Sequence, residues 1–137
     1  AASVDFLGFV DEDQLNDLYR ACDLFVAPSL YESFGLIYLE AMNYARPVIG
    51  CRSGGPEDII VDGKTGFLIP PRDVSALANA IIRLVKSPEM RSEMGRAGRQ
   101  RLTERFSHIA MAREFVEVYK RVLEGTGSHP SGSAGPS

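Results

Sequence analysis

Glu32 and Glu40 stand eight positions apart (40 − 32), and Gly35 lies between them. The stretch around them runs Pro28-Ser29-Leu30-Tyr31-Glu32-Ser33-Phe34-Gly35-Leu36-Ile37-Tyr38-Leu39-Glu40-Ala41-Met42. Leu24-Phe25-Val26-Ala27, ended by Pro28, has the short apolar character of a buried parallel strand. Gly35 then permits a turn into a helix that carries Leu36, Leu39 and Met42 inward. A strand, a polar loop and a helix N-terminus in an open α/β sheet form a place for a ligand, because unpaired N–H groups and the positive end of the helix dipole face the crevice. Glu32 falls in that loop and Glu40 about one turn inside the helix. Carboxylates accept hydrogen bonds from sugar hydroxyls, and the helix opening suits a phosphate.

Further along come Ala45-Arg46-Pro47-Val48-Ile49, then Gly54-Gly55-Pro56-Glu57, then Asp62-Gly63-Lys64-Thr65-Gly66-Phe67-Leu68. With P-S-x-x-E-x-F-G-L-x-x-L-E-A-M before them, this ordered set resembles the C-terminal, nucleotide-sugar-binding domain of family 4 retaining glycosyltransferases of the GT-B fold. The resemblance runs from about Val4 to Leu123. It implies a hexosyltransferase that moves a hexose from a nucleotide-diphosphate sugar to an acceptor hydroxyl in glycan, glycolipid or polysaccharide synthesis, with retention of anomeric configuration. By the same resemblance Glu32 is the catalytic-site acid that binds the donor sugar's hydroxyls. Ser33, Phe34, Gly35, Leu36 and Ile37 bind donor phosphate and sugar through main-chain N–H groups. Glu40 accepts from the ribose 2′- and 3′-hydroxyls. Gly54 and Gly55, with Glu57 or Asp58, form the pocket wall. The family spacing G-G-x-P-E differs from the order here, where Pro56 follows Gly55 directly, so either acid fits. No metal and no cofactor are implied beyond the donor itself. A non-catalytic nucleotide-sugar-binding module is the competing reading, and the two intact glutamates favour the enzyme.

The fold class expected is α/β: a Rossmann-like parallel sheet with flanking helices, an incomplete half of a GT-B C-terminal domain. In the order 3-2-1-4-5-6 that the resemblance implies, strands 1 and 2 precede this chain, as do a diphosphate-binding Arg and Lys and the acceptor-binding N-terminal domain. Val4–Val10 reads as the first strand present, lacking its neighbour, and the Phe25 strand lacks one edge partner. The chain is therefore expected to be a piece of a longer protein. Alone it is expected to be inactive and to self-associate through exposed sheet edges.

Asp11 reads as the cap of a helix from Asp13 to Ala21, with Leu15, Leu18 and Tyr19 on one face. Residues 47–51 and 67–69 read as strands. Asp73 caps a helix from Val74 to about Lys86, Pro88 opens another toward Arg105, and Ser107–Leu123 forms the last. Arg91, Arg96, Arg99, Arg101 and Arg105 read as a solvated basic face partnered by Glu89 and Glu93. His108 and His129 lack metal or triad partners nearby in sequence and read as structural or surface residues.

Residues 1–124 are thus assigned to the glycosyltransferase domain. Residues 125–137, rich in Gly, Ser and Pro, are assigned to a disordered tail or a remnant of added sequence. At 137 residues there is room for one domain, and 45% hydrophobic with 24% charged residues is ordinary globular composition. A net charge of −3 argues against nucleic acid as a partner. Cys22 and Cys51, with no C-x-x-C, read as reduced and buried, which suits the cytoplasm, free or peripheral at a membrane.

Overall fold

The structure, a computed structural model, describes residues 3–30 and 35–126. These fall into two compact units, residues 1–103 and 104–137. The first holds three parallel strands, β1 (Phe25–Ala27), β2 (Val48–Cys51) and β3 (Gly66–Ile69), in the order β1-β2-β3. Val48 pairs with Phe25 on one side and Gly66 on the other, which sets the register. Helices α1 (Glu12–Ala21), α2 (Leu36–Asn43), α3 (Gly55–Ile59) and α4 (Val74–Lys86) alternate with the strands, and α5 (Pro88–Arg105) follows. The second unit is carried by α6 (Ser107–Thr126). The α/β class with a parallel sheet and flanking helices is therefore as expected. The tail expected from Gly125 lies, past Thr126, outside the described residues.

Both faces of the sheet are covered, so β2 and β3 are apolar at every position rather than alternating, and all eight of their residues are buried. Ile49, Cys51, Phe67 and Ile69 point one way and pack with Ala80 and Leu84 of α4 and Met94 of α5. The other face of β2 meets α2 and α3: a Cβ on Gly50 would lie 2.9 Å from the Tyr38 hydroxyl and 3.0 Å from Ile60 Cδ1. Edge strand β1 is only half-buried.

The expectation of a strand at Val4–Val10 fails. Residues 3–10 have no regular secondary structure, and Phe6 and Phe9 are 95% and 97% exposed. Extended backbone is stable as a strand only when its N–H and C=O groups find a ladder, and no described strand pairs with this segment. The helix after it forms one residue earlier than expected. Asp11 Oδ1 accepts from the Gln14 N–H at 2.8 Å while Gln14 Oε1 accepts from the Asp11 N–H at 3.0 Å, a reciprocal capping box that fixes the start at Glu12. Asp73 caps α4 through the Ala76 N–H at 2.9 Å, as its position predicts.

The arginine run is not simply a solvated face. Arg91 Nη1 donates to the carbonyls of Leu84 and Val85 at 2.7 and 2.9 Å, closing the end of α4. Arg101 donates to the carbonyls of Ile59 and Asp58 at 2.8 and 2.9 Å, closing α3 from 42 residues away. Arg46 does the same for α1, reaching the carbonyls of Tyr19 at 2.9 Å and of Arg20. Helix C-termini leave four carbonyls without intrahelical donors and carry partial negative charge, so a guanidinium satisfies both needs.

Gly95 and Gly98 both lie on α5 but face different neighbours. A Cβ on Gly95 would sit 2.0 Å from the Ala45 carbonyl oxygen, whereas one on Gly98 would meet only the Met42 side chain at 3.3 Å. Gly95→Ala is expected to lower stability by roughly 1–3 kcal/mol despite its better helix propensity. Gly98→Ala should leave it unchanged or raised, because Met is flexible. Chemical denaturation of both variants measures the contrast. Cys51 is 1% exposed, and burial pushes its thiol above the ordinary value. A raised folded-state pKa contributes stability that is present below the unfolded value and lost only as pH climbs through the folded one, so no slope from Cys51 is expected at neutral pH. Native Cys51 should accordingly resist a thiol reagent at neutral pH and react at the rate of unfolding.

Candidate functional site

Parallel strands bring their connecting loops to one end of the sheet, and the crevice beyond the strands' C-terminal ends is where ligands sit in such folds. Here the loops leaving β1 and β2 open into α2 and α3. Gly35 is the N-cap of α2, with φ 65° and ψ 29°, a left-handed conformation that glycine adopts without penalty. A Cβ there would lie 2.7 Å from Ile59 Cδ1 and 3.6 Å from the Gly55 carbonyl carbon. The absence of a side chain at Gly35 thus lets the openings of the two helices lie side by side. Ser53 Oγ donates to the Ser29 carbonyl at 3.2 Å and ties the two loops together.

Gly35 offers no side-chain cap to the N-terminus of α2, and the first turn of the helix holds no acidic residue. The N–H groups of Gly35, Leu36 and Ile37 therefore stand at the end of the helix where an intrahelical acceptor is lacking. Glu40 lies in the second turn of the same helix, four residues from Leu36 and three from Ile37. Helical side chains lean toward the N-terminus, so Glu40 covers the surface above that opening turn. Half-buried rather than free on the surface, its Oε2 accepts from the Tyr19 hydroxyl at 3.1 Å. Tyr38, on the opposite flank of α2, is wholly buried and donates to the Ala27 carbonyl at 2.5 Å.

Gly54 and Gly55 lie where β2 passes into α3. Gly54 takes φ 105° and ψ −107°, which side chains exclude, and Gly55 is buried against the site. Glu57 and Asp58 are both exposed in α3. Arg101 takes the main-chain carbonyl of Asp58, so neither carboxylate is drawn out as the wall acid by its bonding. Glu32, Ser33 and Phe34 lie outside the described residues.

Tyr19 was legible in the sequence only as a member of an apolar helix face; nothing in its spacing from Glu40, 21 residues on, reveals the contact. Asp11-Glu12-Asp13 is an Asp-x-Asp triplet at the start of α1, and Asp11 is engaged there as the helix cap. Among the described residues no three His, Cys, Asp or Glu side chains gather as a metal site would require.

Residues 1–101 match the family model described as glycosyl transferases group 1. The chain is 36% identical over 120 residues to a glycogen synthase of Mycobacterium tuberculosis, covering 88% of this chain and 29% of that protein. It superposes on sucrose-phosphate synthase from Thermosynechococcus elongatus with TM-score 0.74 at 36% identity, covering 88% of this chain and 30% of that one. Against Anabaena HepE in complex with UDP and glucose the TM-score is 0.72 at 27% identity, over 85% of this chain and 32% of the other. The chain thus spans about three-tenths of the length of the relatives it matches. With this match over most of its length and a parallel α/β core like theirs, the chain belongs to the group 1 glycosyl transferases.

Proposed function

We propose that this chain supplies the nucleotide-sugar side of a retaining glycosyltransferase, with residues 1–124 as the donor-binding domain fragment and the acceptor held by a further domain. The observation that carries the reading is Glu40, held above a glycine-capped, acid-free helix opening. In this scheme the donor's ribose hydroxyls donate to Glu40, and its diphosphate lies against the N–H groups of Gly35, Leu36 and Ile37. HepE has been solved with UDP and with UDP-glucose, which supports a uridine nucleotide as one class of donor to test.

Glu32 and Ser33 immediately precede that opening in sequence. Glu32 accepts the sugar's hydroxyls and fixes the hexose for attack at its anomeric carbon. As the glycosidic bond to the diphosphate breaks, positive charge develops on the sugar and negative charge on the leaving oxygen. Amides preset toward that oxygen stabilise the transition state more than the ground state; removing one such donor costs about 2.7–4 kcal/mol in comparable sites. The acceptor oxygen then bonds to the anomeric carbon on the face the diphosphate leaves, its proton passing to the departing diphosphate, and configuration is kept. Gly54 and Gly55, with Glu57 or Asp58, wall the donor pocket. Charge stabilisation by amides lets the reaction proceed without a metal, and a cytoplasmic enzyme with access to nucleotide sugars fits the chemistry. No helix among the described residues is long and apolar enough to cross a membrane.

Titrating the whole protein with UDP-, GDP- and ADP-sugars should reveal one preferred donor. Glu40→Ala should weaken it roughly 10- to 100-fold, the loss expected for hydrogen bonds to a charged acceptor. Equal binding of all donors by both proteins would remove Glu40 from the site. The 137-residue chain by itself should turn over none of these donors, and turnover of any one by it would overturn the assignment of essential groups to another domain.

A further inference from the structure

We infer that Tyr19 is a positioning residue for the nucleotide ribose, acting through Glu40. This rests on the reading that Glu40 receives the ribose hydroxyls. A glutamate on a helix surface has several rotatable bonds and loses rotamer freedom when a ligand fixes it. Here one oxygen, Oε2, already accepts from the Tyr19 hydroxyl at 3.1 Å. The carboxylate is thereby held in a set direction before any ligand hydroxyl approaches it. Organising the acceptor before binding lowers the ordering cost of the complex.

The tyrosine itself is held on every side that matters for this role. Tyr19 is 4% exposed. It stacks on Tyr44 at 5.8 Å and 13° and meets Phe25 of β1 at 5.6 Å and 55°. Its carbonyl accepts from Arg46 Nε at 2.9 Å, which pins the last turn of α1. Arg20 lies over the far ring, Tyr44, at 5.4 Å. The phenol is therefore a fixed donor set between strand β1 and helix α2. A purely apolar ring would fill the same space, so the hydroxyl is the part that packing leaves unexplained.

Tyr19→Phe separates the two roles, because it keeps the ring and deletes only the donor. In the whole protein, affinities for UDP, GDP and ADP identify the preferred nucleoside diphosphate, and its 2′,3′-dideoxy analogue is measured beside it. Wild type should prefer the ribose form. Tyr19→Phe should bind that form roughly 10-fold more weakly, while affinity for the dideoxy form is unchanged, so that the preference collapses. Equal weakening of both ligands means a structural role, and an unchanged preference means none; either overturns the inference. Glu40→Ala in the same assay keeps the two readings apart. If it abolishes the ribose preference and Tyr19→Phe does not, only the inference about Tyr19 falls; if it leaves the preference intact, the role of Glu40 falls first.

Discussion

The hydrogen bond from Tyr38 to the last carbonyl of β1 is the contact on which the site's geometry depends. Tyr38 is fully buried on α2, so its hydroxyl needs a partner, and the carbonyl of Ala27, the last residue of β1, supplies it at 2.5 Å. The ring reaches that carbonyl only because Gly50 of β2 has no side chain beneath it, and it meets Phe25 edge-on at 5.9 Å. One phenol thus spans two strands and fixes both the tilt and the rotation of α2. The rotation decides where Glu40 faces. The tilt decides how close Gly35 comes to Ile59 and Gly55, and there too only a glycine fits. Loosening Tyr38 would move the helix opening and the carboxylate together, which couples a core contact to the chemistry proposed at the surface.

Arginine organises the remaining helices in a consistent way. Arg46, between α2 and β2, and Arg91 and Arg101 of α5 donate to last-turn carbonyls of α1, α4 and α3 respectively. Short helices gain most from this. Five-residue α3 has few internal bonds of its own, so it owes its definition to Pro56 at its first turn, Ile59 in the core and Arg101 at its end. Because α3 borders Gly35, a guanidinium from α5 contributes to the shape of the helix openings without approaching them.

Much of this was legible in the sequence because the signals were local. Asp11 and Asp73 as caps, Pro56 and Pro88 at first turns, and the apolar runs of β2 and β3 depend on neighbours within four residues, where spacing carries the information. Gly35 and Glu40 were placed by the same logic, one as a turn and the other as a position on a helix. What spacing could not show was anything settled by a distant partner. The Val4–Val10 segment has strand-like composition, but a strand is a property of a pair, and its pair is absent among the described residues. Arg101 looked like one of five similar cations until the fold set it 42 residues away beside α3. Tyr19 looked like core until its hydroxyl met Glu40.

The openings of α1 and α2 make the electrostatic argument for the site without any appeal to net charge, which is −3 and of the wrong sign for a diphosphate. Each helix begins with partial positive charge and N–H groups without acceptors. In α1 the chain spends both on itself: Asp11 caps it, Gln14 completes the box, and Glu12 and Asp13 neutralise the first turn. In α2 the cap is a glycine with no side chain to offer, and no acid follows until Glu40, one turn further along. Because only a glycine fits beside Ile59 and Gly55, the packing itself excludes a capping side chain at that position. The glycine cap leaves oriented N–H groups at one position and a carboxylate at the next turn. The nucleoside diphosphate proposed above would present the matching pair in the matching sequence, acceptor oxygens on the phosphates and donor hydroxyls on the ribose beside them. The proposed complementarity thus rests on the order of a glycine and a glutamate along one helix.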